Sequence, residues 1–231
     1  MFFNFTFRHF LTNPHHLANQ LQTASMRGFK LRIILVFLTG ILLFGIRGWW
    51  GMGTESLTSI LTTMTTADYT IARYAALFGS ICWAVIYISF HFFGFAYILN
   101  VIIQIPYRKI LPLQLLITGL LLIEKALVFI IFAVKGVTAN VSFLSFGPLA
   151  ETYLETKYLI LFLNQLTITT ALIIALQYRF ILTYTQFTQK KRLLWMLIGL
   201  HIVMALITAA VGFIPAESWL DAITGRGVGV E

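Results

Sequence analysis

Glu124 and Lys125 stand side by side inside an otherwise apolar run, Ile110 to Val134. A charge at the centre of a bilayer costs about 2.5–3.5 kcal/mol on insertion scales, so residues of this kind face a bundle interior and draw attention to a site. Neighbours on a helix diverge by about 100°, and the two cannot form a facing i,i+4 ion pair; each needs a partner from another segment. The candidates are His91, Asn164, Gln165 and His201, each within an apolar run of its own, with Arg47 at the end of another. Such a set suits a proton- or substrate-linked site. It equally suits a polar cluster that fixes helix register, with Lys125 reaching outward along its own stem. His91 and His201 are single mid-run histidines, whose ordinary role is interhelical hydrogen bonding; proton transfer or metal binding is the sharper alternative.

Other chemistry is not written in the chain. There is no H-E-x-x-H, no G-x-S-x-G and no phosphate-binding glycine–lysine loop. The single cysteine, Cys82, lies in an apolar run and offers neither a disulfide nor a zinc site. His15 and His16 are adjacent and would point apart on a helix, which disfavours a shared metal. The expectation is a protein that is not an enzyme and has no catalytic, cofactor or metal residues.

The elements that must position the polar set are five apolar runs: Ile33 to Ile46 with an interfacial extension to Trp50, Tyr74 to Gln104, Ile110 to Val134, Tyr158 to Tyr178, and Leu193 to Pro215. Most reach or exceed the 20 or so residues needed to cross a hydrocarbon core. The second, at 1.5 Å per residue, would extend roughly 46 Å and must tilt or project. Composition agrees: 59% of the 231 residues are apolar and 10% are charged, against roughly 25% charged in a soluble domain. A nucleic-acid-binding domain, a secreted disulfide scaffold and a disordered tail are excluded. The fold expectation is all-α, a polytopic integral membrane protein with five transmembrane helices. It divides into an arm, 1–30, a five-helix domain, 31–215, and an extracytoplasmic tail, 216–231.

Charge placement sets the expected orientation. Arg8, Arg27, Lys30, Arg32, Arg108, Lys109, Arg179, Lys190, Lys191 and Arg192 fall on one set of segments, which carries no acidic residue. The other set holds Arg47, Arg73, Lys135, Lys157 and Arg226 beside Glu55, Asp68, Glu151, Glu155, Glu217, Asp221 and Glu231. The basic bias puts the N-terminus in the cytoplasm and the C-terminus outside. Trp49, Trp50 and Trp219 on the outer side, with Trp195 and Tyr107 inside, suit aromatic belts. The first run lacks a small-residue cleavage site and reads as an uncleaved anchor. Segments 54–70 and 136–156 are rich in Thr and Ser with scattered large apolar residues, as interfacial pieces are.

The N-terminal arm interleaves phenylalanines with Arg8 and His9. Phe3, Phe7, Phe10 and Leu11 recur at helical spacing and predict a lipid-facing interfacial helix; Phe3, Phe5 and Phe7 also fit a strand. Asn13-Pro14 reads as a helix start, with Asn as N-cap and Pro in the first turn. The stretch that follows, with Leu17, Leu21 and Ala24 on one side, predicts a second short amphipathic helix. Gly40, Gly45, Gly79, Gly94, Gly199 and Gly212, with the Ala205–Ala209 pair, supply small surfaces for close helix approach, internal or with a partner.

From Asn13-Pro14-His15-His16-Leu17 to Pro215, the order of interfacial arm, Asn-Pro start, amphipathic segment and five close spans resembles the Yip (Ypt/Rab-interacting protein) family. It is most similar to its bacterial branch, the YknW-type accessory membrane proteins of MacB-like ABC exporters. The Asp-Leu-Tyr-Gly-Pro of eukaryotic members is absent, and Phe146-Gly147-Pro148 falls in a predicted outer loop. The resemblance implies no enzymatic activity. It implies a scaffold in a bacterial cytoplasmic membrane that binds an ABC permease and its membrane-fusion subunit and supports export of, or protection from, a toxic peptide. Partners expected from the chain as a whole are the lipid bilayer and other membrane proteins, with a homo-oligomer as a further candidate and no nucleic acid. Two rivals remain open: an independent small transporter or channel using Glu124, Lys125 and His91, and a lipid-organising protein acting through the phenylalanine-rich arm.

Overall fold

A computed structural model describes residues 1–52, 65–137, 141–185 and 188–213. Trp219, Pro215, Glu55 and the 216–231 tail, on which expectations were placed, lie outside the described residues. The chain is almost wholly helical: α1 Phe7–Thr12, α2 Pro14–Thr23, α3 Phe29–Trp50, α4 Thr66–Ser89, a single π-helical turn Phe90–Gly94, α5 Phe95–Ile103, α6 Tyr107–Lys135, α7 Gly147–Tyr153, α8 Lys157–Gln165, α9 Ile168–Thr185 and α10 Lys190–Phe213. Two short strands, β1 Phe2–Phe3 and β2 Ser25–Met26, pair in parallel with Phe2 opposite Ser25 and Phe3 opposite Met26. Five helical stretches are long and apolar enough to cross a membrane: Phe29–Trp50, Tyr69–Ile103, Tyr107–Lys135, Ile168–Thr185 and Lys190–Gly212.

The element ends follow from local chemistry. At the far end of α3, Gly51 takes a left-handed φ of +98°, which lets its N–H reach back to the Arg47 and Gly48 carbonyls. Gly136, at φ +65°, ends α6 in the same manner. Pro106 precedes α6, and Pro112, inside the helix one turn on, has no N–H to give the Arg108 carbonyl. In the second span the Phe95 N–H bonds the Phe90 carbonyl, five residues back, so one extra residue is taken up at mid-helix.

Half of the most apolar window of α6 is buried, against 11% for α3 and 17% for α10, and α6 is therefore the central post. α3 packs on α4 and α6; α9 packs on α2, α6 and α10; α8 packs on α7 and α10. Gly40 lets α3 approach the Ile88 side chain of α4, and Gly48 sits against Leu77 and Ser80, whose hydroxyl donates to the Phe44 carbonyl at 3.1 Å. Ala205 and Ala209 are buried inside the bundle, so that small pair serves internal packing.

Two expectations need correction. The apolar run Tyr158 to Tyr178 is not one helix: it breaks at Leu166-Thr167 into α8 and α9, and the span is Ile168–Thr185. The break is held by polar ties. Phe146 N–H donates to Leu166 O, Ile168 N–H donates to Leu144 O, and the Thr170 hydroxyl donates to the Gln165 carbonyl at 3.1 Å. These tie both sides of the break to the segment before α7 and satisfy groups that an uninterrupted helix would have paired.

The second correction concerns the arm. Its helix covers Phe7–Thr12 only, while Phe3 joins a strand, and the apolar side chains turn inward. Phe10 is 1% exposed, Phe5 is buried, and Phe3, Phe7 and Leu11 lie against the same core as α6 and α9. The Phe7 ring rests on Gly119 of α6, and a Cβ there would stand 2.8 Å from it. Arg8 stays exposed, while Arg32 lies over the Phe5 ring at 5.4 Å. Asn13 does occupy the cap position of α2, with Pro14 following, but its side chain hydrogen-bonds Thr12 rather than the helix N–H groups. Leu17, Ala18 and Leu21 are the buried face of α2; Ala24 is only half-buried. Lys109 Nζ donates to the Leu21 carbonyl and Gln22 Nε2 donates to the Tyr184 carbonyl at 3.1 Å. The arm thus closes the basic end of the bundle as part of its core.

Candidate intramembrane binding site

His91, Glu124, Lys125, Asn164, Gln165 and His201 all line one cavity of about 780 Å³, together with Arg47. Three features of the fold aim them there. The π turn carries His91 while its neighbour Phe92 is fully buried in the core. The central α6 contributes Glu124 and Lys125. The α8–α9 break places Asn164 and Gln165 beside Thr167.

The members have different partners. Glu124, 3% exposed, accepts a hydrogen bond from the Thr167 hydroxyl at 3.1 Å. Thr167 is in turn the N-cap of α9: its Oγ1 accepts the Thr170 N–H at 3.1 Å, and its own N–H donates to Thr170 Oγ1 at 3.4 Å. His201 Nε2 meets Gln177 Oε1 at 3.0 Å. His91 packs against Tyr87 with ring centroids 4.4 Å apart and the planes tilted by 60°. The Asn164 carbonyl oxygen accepts the Ser142 N–H and the Ser145 hydroxyl, both at 2.8 Å, and so anchors the segment before α7 rather than pairing with Glu124.

The cations are held differently. Arg47 lies over the Phe44 ring at 5.3 Å and its Nε is buried without a hydrogen bond. Among the described residues no ion pair joins Arg47 or Lys125 to a carboxylate. Lys125 nonetheless lies within electrostatic reach of Glu124 and Arg47. Among the described residues the cavity therefore holds two cations against one carboxylate, and that carboxylate already has a donor.

The sequence reading missed several lining groups. Gln114 and Gln177 are completely buried on the cavity wall, and among the described residues neither the Gln114 amide nor Gln177 Nε2 has a hydrogen-bond partner. An orphaned buried amide costs about 1–3 kcal/mol unless something else satisfies it. A glutamine within an apolar run is the same signal that singled out Gln165, and it was available at 114 and 177. Thr167 carried no such signal, because a threonine in a span ordinarily bonds its own helix.

Through Asn164, which lines the cavity, Ser142 and Ser145 form a polar knot at its edge. On the arm, His9 Nε2 and His16 Nδ1 stand 3.3 Å apart at the exposed surface, while His15 points elsewhere. Among the described residues no three His, Cys, Asp or Glu side chains converge as metal ligands would. No family model, curated protein or solved structure matches the chain.

Proposed function

We propose that the protein is a non-enzymatic membrane subunit that works by binding, and that the Arg47–Glu124–Lys125 cavity is where it binds. The observation that carries this reading is the cavity itself. It gathers charged and amide side chains on an otherwise largely apolar wall, with more cations than carboxylates among the described residues, which also leave the Gln114 amide and Gln177 Nε2 without a hydrogen bond. A bundle that needed only a structural polar cluster would close these groups onto one another.

The resemblance to the bacterial branch of the Yip family supplies the context: an accessory of an ABC export complex in the bacterial cytoplasmic membrane, N-terminus inside and C-terminus outside, which supports the assembly or activity of the permease and its membrane-fusion subunit. The largely exposed apolar faces of α3 and α10 suit contact with partner helices. Co-purification with the permease in mild detergent is expected. Recovery of the protein alone, with export unchanged after its deletion, would overturn the reading.

A second reading, an independent small transporter or channel, is favoured by the same polar cavity. Reconstituted flux that Glu124→Gln abolishes would select it. The lipid-organising reading loses its main support, because the phenylalanines assigned to it are packed against the bundle.

A further inference from the structure

We propose that the cavity takes the anionic headgroup of a membrane amphiphile, which enters sideways from the bilayer between α4 and α10. The proposal deepens the binding reading above and rests on it.

Charge comes first. Among the described residues the wall carries two cations and one carboxylate, a positive balance, and Thr167 already engages Glu124. An incoming anion meets Arg47 and Lys125, neither of which has a carboxylate partner among the described residues. The Gln114 amide and Gln177 Nε2, both completely buried on the wall, add donors and an acceptor with no partner among the described residues. A phosphate or carboxylate with neighbouring hydroxyls matches that set.

Depth and access come next. Arg47 is three residues from Trp50 at the end of α3, or about 4.5 Å along the axis, which is headgroup depth for a lipid of that leaflet. Lys125 is ten residues from the end of α6, about 15 Å from that end and so about 10 Å deeper than Arg47. The principal packing partners of α4 are α3 and the π turn, and those of α10 are α8 and α9, so no packed seam joins α4 to α10. The lips of this slot include Trp83, Ile86 and Phe90, which line the cavity and are also exposed to the outside of the bundle. An acyl chain can lie along that apolar lip while its headgroup reaches the charged wall. A soluble anion of the same chemistry would have no use for the slot.

The test uses the full-length protein in mild detergent, with bound lipid counted by native mass spectrometry during titration. Phosphatidylglycerol is expected to bind at least tenfold more tightly than phosphatidylcholine, and glycerol 1-phosphate to bind weakly. Arg47→Gln and Lys125→Gln are each expected to lose that preference, while Lys135→Gln, exposed at the end of α6 and outside the cavity, keeps it. Gly79→Phe guards against a folding failure: a Cβ there meets nothing within 4 Å, and the ring fills the slot. It is expected to weaken phosphatidylglycerol at least tenfold and leave the helical circular dichroism unchanged. Equal binding of the two lipids, or a preference that survives all three cavity variants, overturns the proposal. So does tighter binding of glycerol 1-phosphate than of lipid, or saturable binding of an amphipathic peptide without lipid. Permease co-purification, measured separately, reports on the accessory reading alone: its loss with lipid preference intact leaves this site standing.

Discussion

Replacing Thr167 by valine removes one oxygen that does two jobs. It donates to the nearly buried Glu124 at 3.1 Å and accepts the N–H of Thr170 at the start of α9. A hydrogen bond to a charged group contributes about 1.5–3 kcal/mol, and a lost N-cap costs about 1 kcal/mol. Thr167→Val is therefore expected to destabilise the protein by about 2.5–4 kcal/mol, and Thr167→Ser, which keeps the hydroxyl, by well under half of that. Reversible unfolding in mixed micelles measures both. A double-mutant cycle with Glu124→Leu separates the two jobs, because only the carboxylate bond is shared. A coupling energy of about 1.5–3 kcal/mol is expected, and a value within about 0.5 kcal/mol of zero would refute the Thr167–Glu124 link.

Glu124→Leu is expected to insert with normal topology but to lose assembly or activity with the exporter, read by co-purification and export; full function would show that the carboxylate does not matter. Phe10→Ala, at a position 1% exposed, is expected to cost about 3–5 kcal/mol and to speed proteolysis between residues 12 and 28, with the spans still protected. Asn164→Leu removes the acceptor that fixes Ser142 and Ser145. Hydrogen exchange in α7 is expected to rise while α6 stays protected; exchange in α7 equal to that of the unchanged protein would show that the knot is not what holds that segment.

The broad architecture was readable because a bilayer forces apolar runs of fixed length, and four of the five spans coincide with such runs to within about five residues at each end. The polar set was readable for the same reason, since a charge or amide in hydrocarbon stands out. The rest depended on tertiary contacts that leave no periodic trace. The stretch from Lys157 to Thr185 holds no glycine or proline to break a helix, and the ties to Leu144, Phe146 and Glu124 divide it. An amphipathic face such as Phe3, Phe7, Phe10 and Leu11 looks alike whether it meets lipid or protein; Gly119, the flat seat for Phe7, decides the matter and lies more than a hundred residues away. Phe90 to Gly94 has no proline or polar insertion that would announce a π turn.

That π turn has a consequence for how the second span tolerates change. The five-residue loop of its hydrogen bond stores one surplus residue, a unit of slack between two regular helices. Deleting a residue from Phe90 to Gly94 would take up the slack and leave an ordinary α-helix, whereas deleting one from the last two turns of α4 would swing every side chain before the deletion by about 100° relative to α5. Gly79 and Ser80 would then leave the cavity wall while Phe95 stayed on it. The span is thus two independently phased halves, and lineages carrying this fold can change its length by one residue at a single address without turning either half away from its neighbours.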